Sequence, residues 1–294
     1  MKIKDDRQWW DNLDKIWKDE LISNLLKSPG YKENKKSPTE VFQEIEKSDS
    51  IIKDIVNLEK ICISSKLLYD LTPVFYCKKI NDFHIQERGW PEVDASFLYM
   101  YPKRLRSKVR RLYLDGASLD DLTSLSDYIN LEVFTGQCCR ISSLNGIQKL
   151  TRLKEFTADQ GNYFSDLNPL RGLGLTYLNI EFTRVTDISP LQDVKSLEYL
   201  NISFLEISDY SPLLHLPNLR EFEEGGWSPQ KEIPKKIYTR LRQVMKRNNK
   251  IRPYSRGEYV EGGINPIELC NSNLDSKSET KPEYNISPSD ELPF

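Results

Sequence analysis

From Leu197 the chain can be stepped in intervals of 22 residues, backward through Leu175, Leu153, Leu131 and Val109 and forward to Leu219, and every step opens a segment of the same pattern. Two earlier openings stand at Leu58 and Ile80; the interval from Ile80 to Val109 runs 29 residues instead of 22, with the excess around "FLYMYPK". Within a unit the apolar positions are 1, 4, 6, 11, 14, 17 and 20. In the units opening at 58, 109, 131, 175 and 197, 34 of these 35 positions are apolar, Gly136 being the exception. A chain that is 38% hydrophobic would supply roughly 13 by chance, so the period is a property of the fold.

The spacing also says what each unit is. Positions 4 and 6 alternate with polar neighbours, the two-residue period of a short strand. A proline recurs near position 16 (Pro73, Pro169, Pro190, Pro212), where a continuing helix would break. Twenty-two residues are too few for a pair of helices. Each unit is therefore expected to be one strand, a turn and an irregular or short 3₁₀ return. One unit cannot bury its own leucines, whereas stacked units share a continuous core. The unit at 153 is looser: "YFSDLNPLRGLG" carries one extra residue before Phe164 and one fewer before Leu175.

The segments "LTYLNIEFTRVTDISPLQDVKS" and "LEYLNISFLEISDYSPLLHLPN" resemble leucine-rich repeats of the 22-residue class, as in bacterial internalins and eukaryotic phosphatase regulators. The opening "WWDNLDKIWKDEL" is similar to helical leaders that precede such repeats in bacterial cytoplasmic proteins. The resemblance implies an α/β leucine-rich-repeat solenoid with a parallel sheet on its concave face, and protein recognition as its use. Position 9 departs from that family, where an Asn usually bonds the backbone of adjacent turns. Here it is Lys66, Arg88, Ala117, Cys139, Gly161, Thr183, Leu205 and Trp227. The backbone must be satisfied otherwise, by Cys139 and Thr183 locally or by ordered water.

A solenoid exposes apolar ends, so capping segments are expected on both sides. Residues 1–57 read as a helical N-terminal cap. Over 9–26, Trp9, Leu13, Trp17 and Leu21 or Ile16 fall on one side of a helix. A second helix opens at "SPTE", with Ser37 as N-cap, Pro38 at the first helical position and Glu40 completing a capping box. A Trp-rich docking surface is the alternative reading of this segment. The repeats are assigned to 58–227, with eight strand openings and an insertion near 96–108. Residues 228–252 form a basic C-terminal helix, with nine Lys or Arg against one Glu between 231 and 252; it either caps the last repeat or binds a second partner. Residues 253–294 are polar and proline-containing, and are expected to be mostly disordered.

Strand alternation puts positions 3, 5, 7 and 8 on the concave side. From the unit at 153 onward these are Glu155, Thr157, Asp159 and Gln160; Tyr177, Asn179, Glu181 and Phe182; Tyr199, Asn201, Ser203 and Phe204; then Glu221, Glu223, Gly225 and Gly226, with Trp227 adjoining. No basic residue lies among the sixteen. Aromatic anchors inside an acidic rim predict a binding surface for a basic protein, with Glu155, Asp159, Tyr177, Glu181, Phe182, Tyr199, Phe204, Glu221, Glu223 and Trp227 as its residues. On the first strands Cys62 and His84 share position 5 and come within reach of one another; both are read as ordinary surface residues, since neither a third metal ligand nor a general base is in sight.

Net charge of −2 shows no bias toward nucleic acid or membrane, and five scattered cysteines lack zinc-site spacing and read as reduced thiols. The opening "MKIKDDRQWWDNLD" has acids where a secretory leader would need an apolar run, so a cytoplasmic location is expected. No catalytic residues, metal, cofactor, small-molecule substrate, membrane or nucleic-acid partner are expected. The resulting expectation is a non-enzymatic binding module for a basic protein, as an inhibitor or immunity-like protein. The alternative is a recognition, sensor or adaptor subunit of a multi-protein complex, such as a bacterial conflict or defence system, that uses the basic helix and tail.

Overall fold

The computed structural model describes residues 5–64, 67–68, 70–86, 93–95, 97–224 and 233–251. The N-terminal region is helical: α1 (Asp6–Asp11), α2 (Lys15–Lys27), α3 (Pro29–Lys32), α4 (Pro38–Lys47) and α5 (Ser50–Val56). The helix expected over 9–26 is divided. Asp14 adopts an extended conformation and its carboxylate accepts from the Trp17 N–H at 2.8 Å, so a new helix starts there. The expected capping box at Ser37 and Glu40 is present in both directions. Trp9, Trp10 and Trp17 are all buried, and Trp9 stacks on Tyr76 of the first repeat at 4.9 Å. The alternative of a Trp-rich docking surface is thereby corrected: the three indoles are buried, Trp9 against the first repeat and Trp10 against Trp9 and Phe42.

The repeats follow: β1 (Lys60–Ser64), α6 (Thr72–Tyr76), β2 (Asp82–Gln86), β3 (Val93–Asp94), α7 (Phe97–Met100), α8 (Lys103–Arg106), β4 (Arg111–Asp115), β5 (Ala117–Ser118), β6 (Val133–Gln137), β7 (Glu155–Thr157), β8 (Tyr177–Asn179), β9 (Tyr199–Asn201), β10 (Glu221–Glu223) and finally α9 (Lys235–Ile251). Eight strands form one parallel sheet in the order β1-β2-β4-β6-β7-β8-β9-β10, and β3 pairs with β5 in a short side ladder. Residues one repeat apart are register partners, as Leu178, Leu200 and Phe222 show. The returns are short 3₁₀ turns at Asn168–Leu170, Ser189–Asp193 and Ser211–His215, each with its proline in the first turn, where a missing N–H is harmless. The extra residues before β4 fold into α7 and α8. They are held by Arg106, which donates from Nε to the Tyr101 carbonyl (2.6 Å) and from Nη1 to Asp127 (2.8 Å).

The exceptions in the repeat pattern have local reasons. Gly136 stands at an inward position because a Cβ there would lie 2.8 Å from the Phe134 ring, which already fills the space. The backbone bonds that a position-9 Asn would make are taken over by several side chains. Cys139 Sγ bonds the Gln137 carbonyl at 3.3 Å, and Thr183 Oγ1 donates to the Ile180 carbonyl at 2.8 Å. Asn162 does most. It is 1% exposed, accepts from the Ile141 N–H (2.9 Å), and donates to the carbonyls of Gly136 (2.8 Å) and Asp159 (2.6 Å). The one-residue slip of the unit at 153 moved this Asn off position 9.

Asparagines from flanking helices bond the β1 edge at one end and the segment leading into β10 at the other. On β1, Asn24 of α2 accepts from the Cys62 N–H (2.6 Å) and donates to the Cys62 carbonyl (2.8 Å), while Glu20 accepts from the Ser64 N–H (3.0 Å). At the other end Asn248 of α9 donates to the carbonyls of Pro217 (3.0 Å) and Leu219 (2.7 Å), and Asn249 to that of Arg220 (3.1 Å). Leu241 and Ile233 are buried beside the last repeat. Of the two offered uses of the basic helix, these contacts with the last repeat are the ones a cap would make. The tail at 253–294 lies outside the described residues.

Candidate protein-binding face

The parallel register lines up the outward residues in rows across the sheet. One row runs Glu155, Tyr177, Tyr199, Glu221, and the next Thr157, Asn179, Asn201, Glu223. Glu181 and Phe182 follow β8, as Ser203 and Phe204 follow β9. The structure therefore gathers nine of the ten expected residues on one half of the concave face. Trp227 lies outside the described residues.

Tyr177 and Tyr199 stack with centroids 4.2 Å apart and planes within 4°. Their hydroxyls and the Glu223 carboxylate form one hydrogen-bonded chain. Burial pushes the Tyr177 pKa up to about 12, and Tyr199 is driven higher by burial and by the neighbouring tyrosine and carboxylate; both are neutral donors. Tyr199 is only 5% exposed. It is the floor of the face, where adjacent strands crowd the rings together, and not the open anchor that strand alternation alone suggests.

The phenylalanines behave differently. Position 8 has positive φ in five consecutive units: Gly116 (72°), Cys138 (52°), Gln160 (31°), Phe182 (56°) and Phe204 (61°). The chain turns off the sheet at this point, and an Asx-type bond fixes the last two turns: Asn179 Oδ1 accepts from the Glu181 N–H (3.1 Å) and Asn201 Oδ1 from the Ser203 N–H (2.9 Å). Left-handed backbone costs roughly 1–2 kcal/mol for a residue with a Cβ, and glycine would avoid it. Two phenylalanines occupy it nevertheless, stacked at 3.9 Å and 13°, and Phe182 stays 37% exposed. Cys138 and Gln160 hold the same left-handed turn in the two preceding units, so the turn belongs to the repeat and the aromatic pair to these two units.

Carboxylates lie on the same half of the face. Glu181 accepts from Asn201 Nδ2 at 2.9 Å. Asp159 is 8% exposed, and its Oδ1 is buried without a hydrogen-bond partner among the described residues. Burial first, then the negative charges of Glu181 and Asp115, push its pKa up to about 6. Glu155 is raised by burial, against the pull of Arg111.

The opposite half of the face is a closed polar network. His84 is 3% exposed, so the expectation of an ordinary surface histidine is corrected: its Nε2 bonds Asp82 Oδ1 at 2.6 Å, and its ring stacks on Tyr113 at 4.0 Å. Lys60 Nζ lies 3.6 Å from Asp82 Oδ2. Burial lowers the His84 pKa against the pull of Asp82. Burial also opposes the Asp82 charge, but His84, Lys60 and Arg111 hold that carboxyl below its ordinary range. Cys62 and His84 are register partners. Among the described residues no three His, Cys, Asp or Glu side chains converge to hold a metal ion, and no helix is long and apolar enough to cross a membrane.

A single parallel ladder of register-matched short strands with 3₁₀ returns defines the fold, an α/β leucine-rich-repeat solenoid. Among solved structures, internalin F of Listeria monocytogenes is similar with a TM-score of 0.51 and 20% identity, over 69% of this chain and 58% of that one. Internalin C2 of the same species gives 0.44 and 24% over 55% and 71%, and a leucine-rich-repeat protein of Leptospira interrogans gives 0.41 and 14% over 62% and 55%. At these identities the likeness is one of fold. No protein-family model matches the chain, and no curated protein sequence matches it.

Proposed function

We propose that this protein is a non-enzymatic recognition module whose concave face, from Glu155 to Glu223, binds a basic surface on another protein. The observation that carries the reading is the stacked Phe182–Phe204 pair, held in left-handed backbone and left accessible among carboxylates. Acids steer a basic partner to the face, and burial of the aromatic shelf then supplies affinity. Occlusion of a basic effector, as an inhibitor or immunity-like protein does, follows from that charge. The four described cysteines are thiols, which suits action in the reducing cytoplasm.

The test is capture of a partner by the full chain and by the Phe182→Ala, Phe204→Ala double variant. Tyr199 is a poorer probe, because its burial confounds binding with stability. Loss of both rings is expected to weaken binding by at least ~2 kcal/mol, roughly 30-fold in Kd, and affinity is expected to fall with added salt. Unchanged affinity in a correctly folded double variant refutes the site.

A second use as an adaptor is supported by α9, whose outer side exposes Lys235, Lys236, Arg240, Arg242 and Lys246 while its inner side caps the last repeat. Replacing these five by Gln leaves the cap intact. An adaptor then loses a second component, whereas a simple inhibitor loses nothing.

A further inference from the structure

We propose that the concave face contains an anchor pocket for one arginine side chain of the partner, with Asp159 and Glu181 receiving the guanidinium and the Phe182–Phe204 stack bearing its stem. This rests on the protein-binding reading above and specifies what the face recognises.

Asp159 is the starting point. A carboxylate more than nine-tenths buried normally has its oxygens bonded, yet its Oδ1 lacks a partner among the described residues. The charges that bear on it, from Glu181 and Asp115, are both negative. Three neutral groups also feel the Asp159 charge, the Cys138 and Cys139 thiols and the Tyr177 hydroxyl, each raised first by burial. The site is thus electrostatically incomplete: it concentrates negative charge where solvent is excluded, and no cation is among the charges that shift Asp159. A cation from outside would relieve the mutual repulsion and satisfy the orphaned oxygen together.

The surroundings select the kind of cation. Glu181 already spends one oxygen on Asn201 Nδ2 at 2.9 Å, which fixes its carboxylate beside the pocket. The next residue along, Phe182, opens the aromatic shelf, stacked on Phe204 at 3.9 Å. A planar, weakly hydrated guanidinium can fork across two carboxylates and lie against an aromatic face. A compact lysine ammonium is more strongly hydrated and lacks that fork. The two independent features, an unsatisfied buried carboxylate and a strained exposed aromatic pair, therefore converge on arginine.

The probe is acetyl-Gly-Arg-Gly-amide, titrated into the full chain with binding followed by chemical-shift changes at the backbone amides of 159, 181 and 182. Saturable binding with a Kd of about 1–10 mM is expected, several-fold tighter than for the Lys peptide and absent for the uncharged citrulline peptide. Lowering the pH from about 7.5 to about 5 is expected to weaken it at least threefold, because Asp159, with Asp115 and Glu181 bearing on it, then takes up a proton. Asp159→Asn keeps the side-chain shape and is expected to weaken binding at least tenfold. Equal affinity for the citrulline peptide, no saturation, or undiminished binding by the folded Asn variant overturns the pocket. If Asp159→Asn retains a protein partner that Phe182→Ala, Phe204→Ala loses, the arginine anchor is wrong and the protein-binding face stands; if both variants retain it, both readings fall.

Discussion

Asp159→Asn should make the free protein more stable at neutral pH while weakening the face it belongs to. The carboxyl group titrates near 3.8 when unfolded and is raised to about 6 in the fold. Its folded form therefore holds a proton that the unfolded chain has released between these two values, so stability falls as pH rises through the window and stays reduced above it. At 1.36 kcal/mol per pKa unit the penalty above pH 6 is about 3 kcal/mol at most. Asn removes the ionisation but keeps the shape, so the variant should gain about 1–3 kcal/mol at pH 8, or about 3–9 °C in melting temperature for a chain of this size. The advantage should shrink as pH falls toward about 4, where the folded acid is neutral and the unfolded one is close to its midpoint. Thermal melts of both proteins followed by circular dichroism from about pH 4 to pH 8 measure this directly. A gap that stays constant across the range, or a wild type that is the more stable at pH 8, would refute the claim that Asp159 is an uncompensated buried charge.

Two structural asparagines give further tests. Asn162→Ala strands the Ile141 N–H and the Gly136 and Asp159 carbonyls in a buried site and should cost about 3 kcal/mol or more, read as a drop of about 6–12 °C in melting temperature; a loss under about 1 kcal/mol would mean water replaces the side chain. Asn248→Ala removes two bonds from α9 to the last repeat. Hydrogen exchange should then accelerate in Glu221–Glu223 while Lys60–Ser64 is unaffected, since a solenoid couples mainly nearest neighbours. Uniform acceleration through the sheet would contradict that locality.

The repeat arithmetic made most of the architecture legible before any coordinates. Leucines at fixed positions can be buried only by stacking, which dictates a parallel sheet and puts Tyr177 beside Tyr199 and Phe182 beside Phe204, as the register and ring contacts show. Where a side chain breaks the period the sequence was less informative. Asn162 was hidden because the unit at 153 is displaced by one residue, and the bonding role it carries depends on three backbone groups from different parts of the chain. The helix expected over 9–26 divides because one N-cap bond at Asp14 outweighs a continuous apolar stripe.

Which outward residues are open, and which are floor, belongs to the tertiary structure alone. Alternation assigns Asp159, Tyr177 and Tyr199 to the same side of the sheet, since it knows only the direction of each side chain. Exposure depends on how closely neighbouring strands press the side chains together and where the backbone turns away. That lateral packing sinks Tyr199 and Asp159 and turns Phe182 outward on a strained φ. The sequence by itself determined a stack of strands with an acidic, aromatic face; only the packing between strands left one buried carboxylate oxygen without a partner among the described residues.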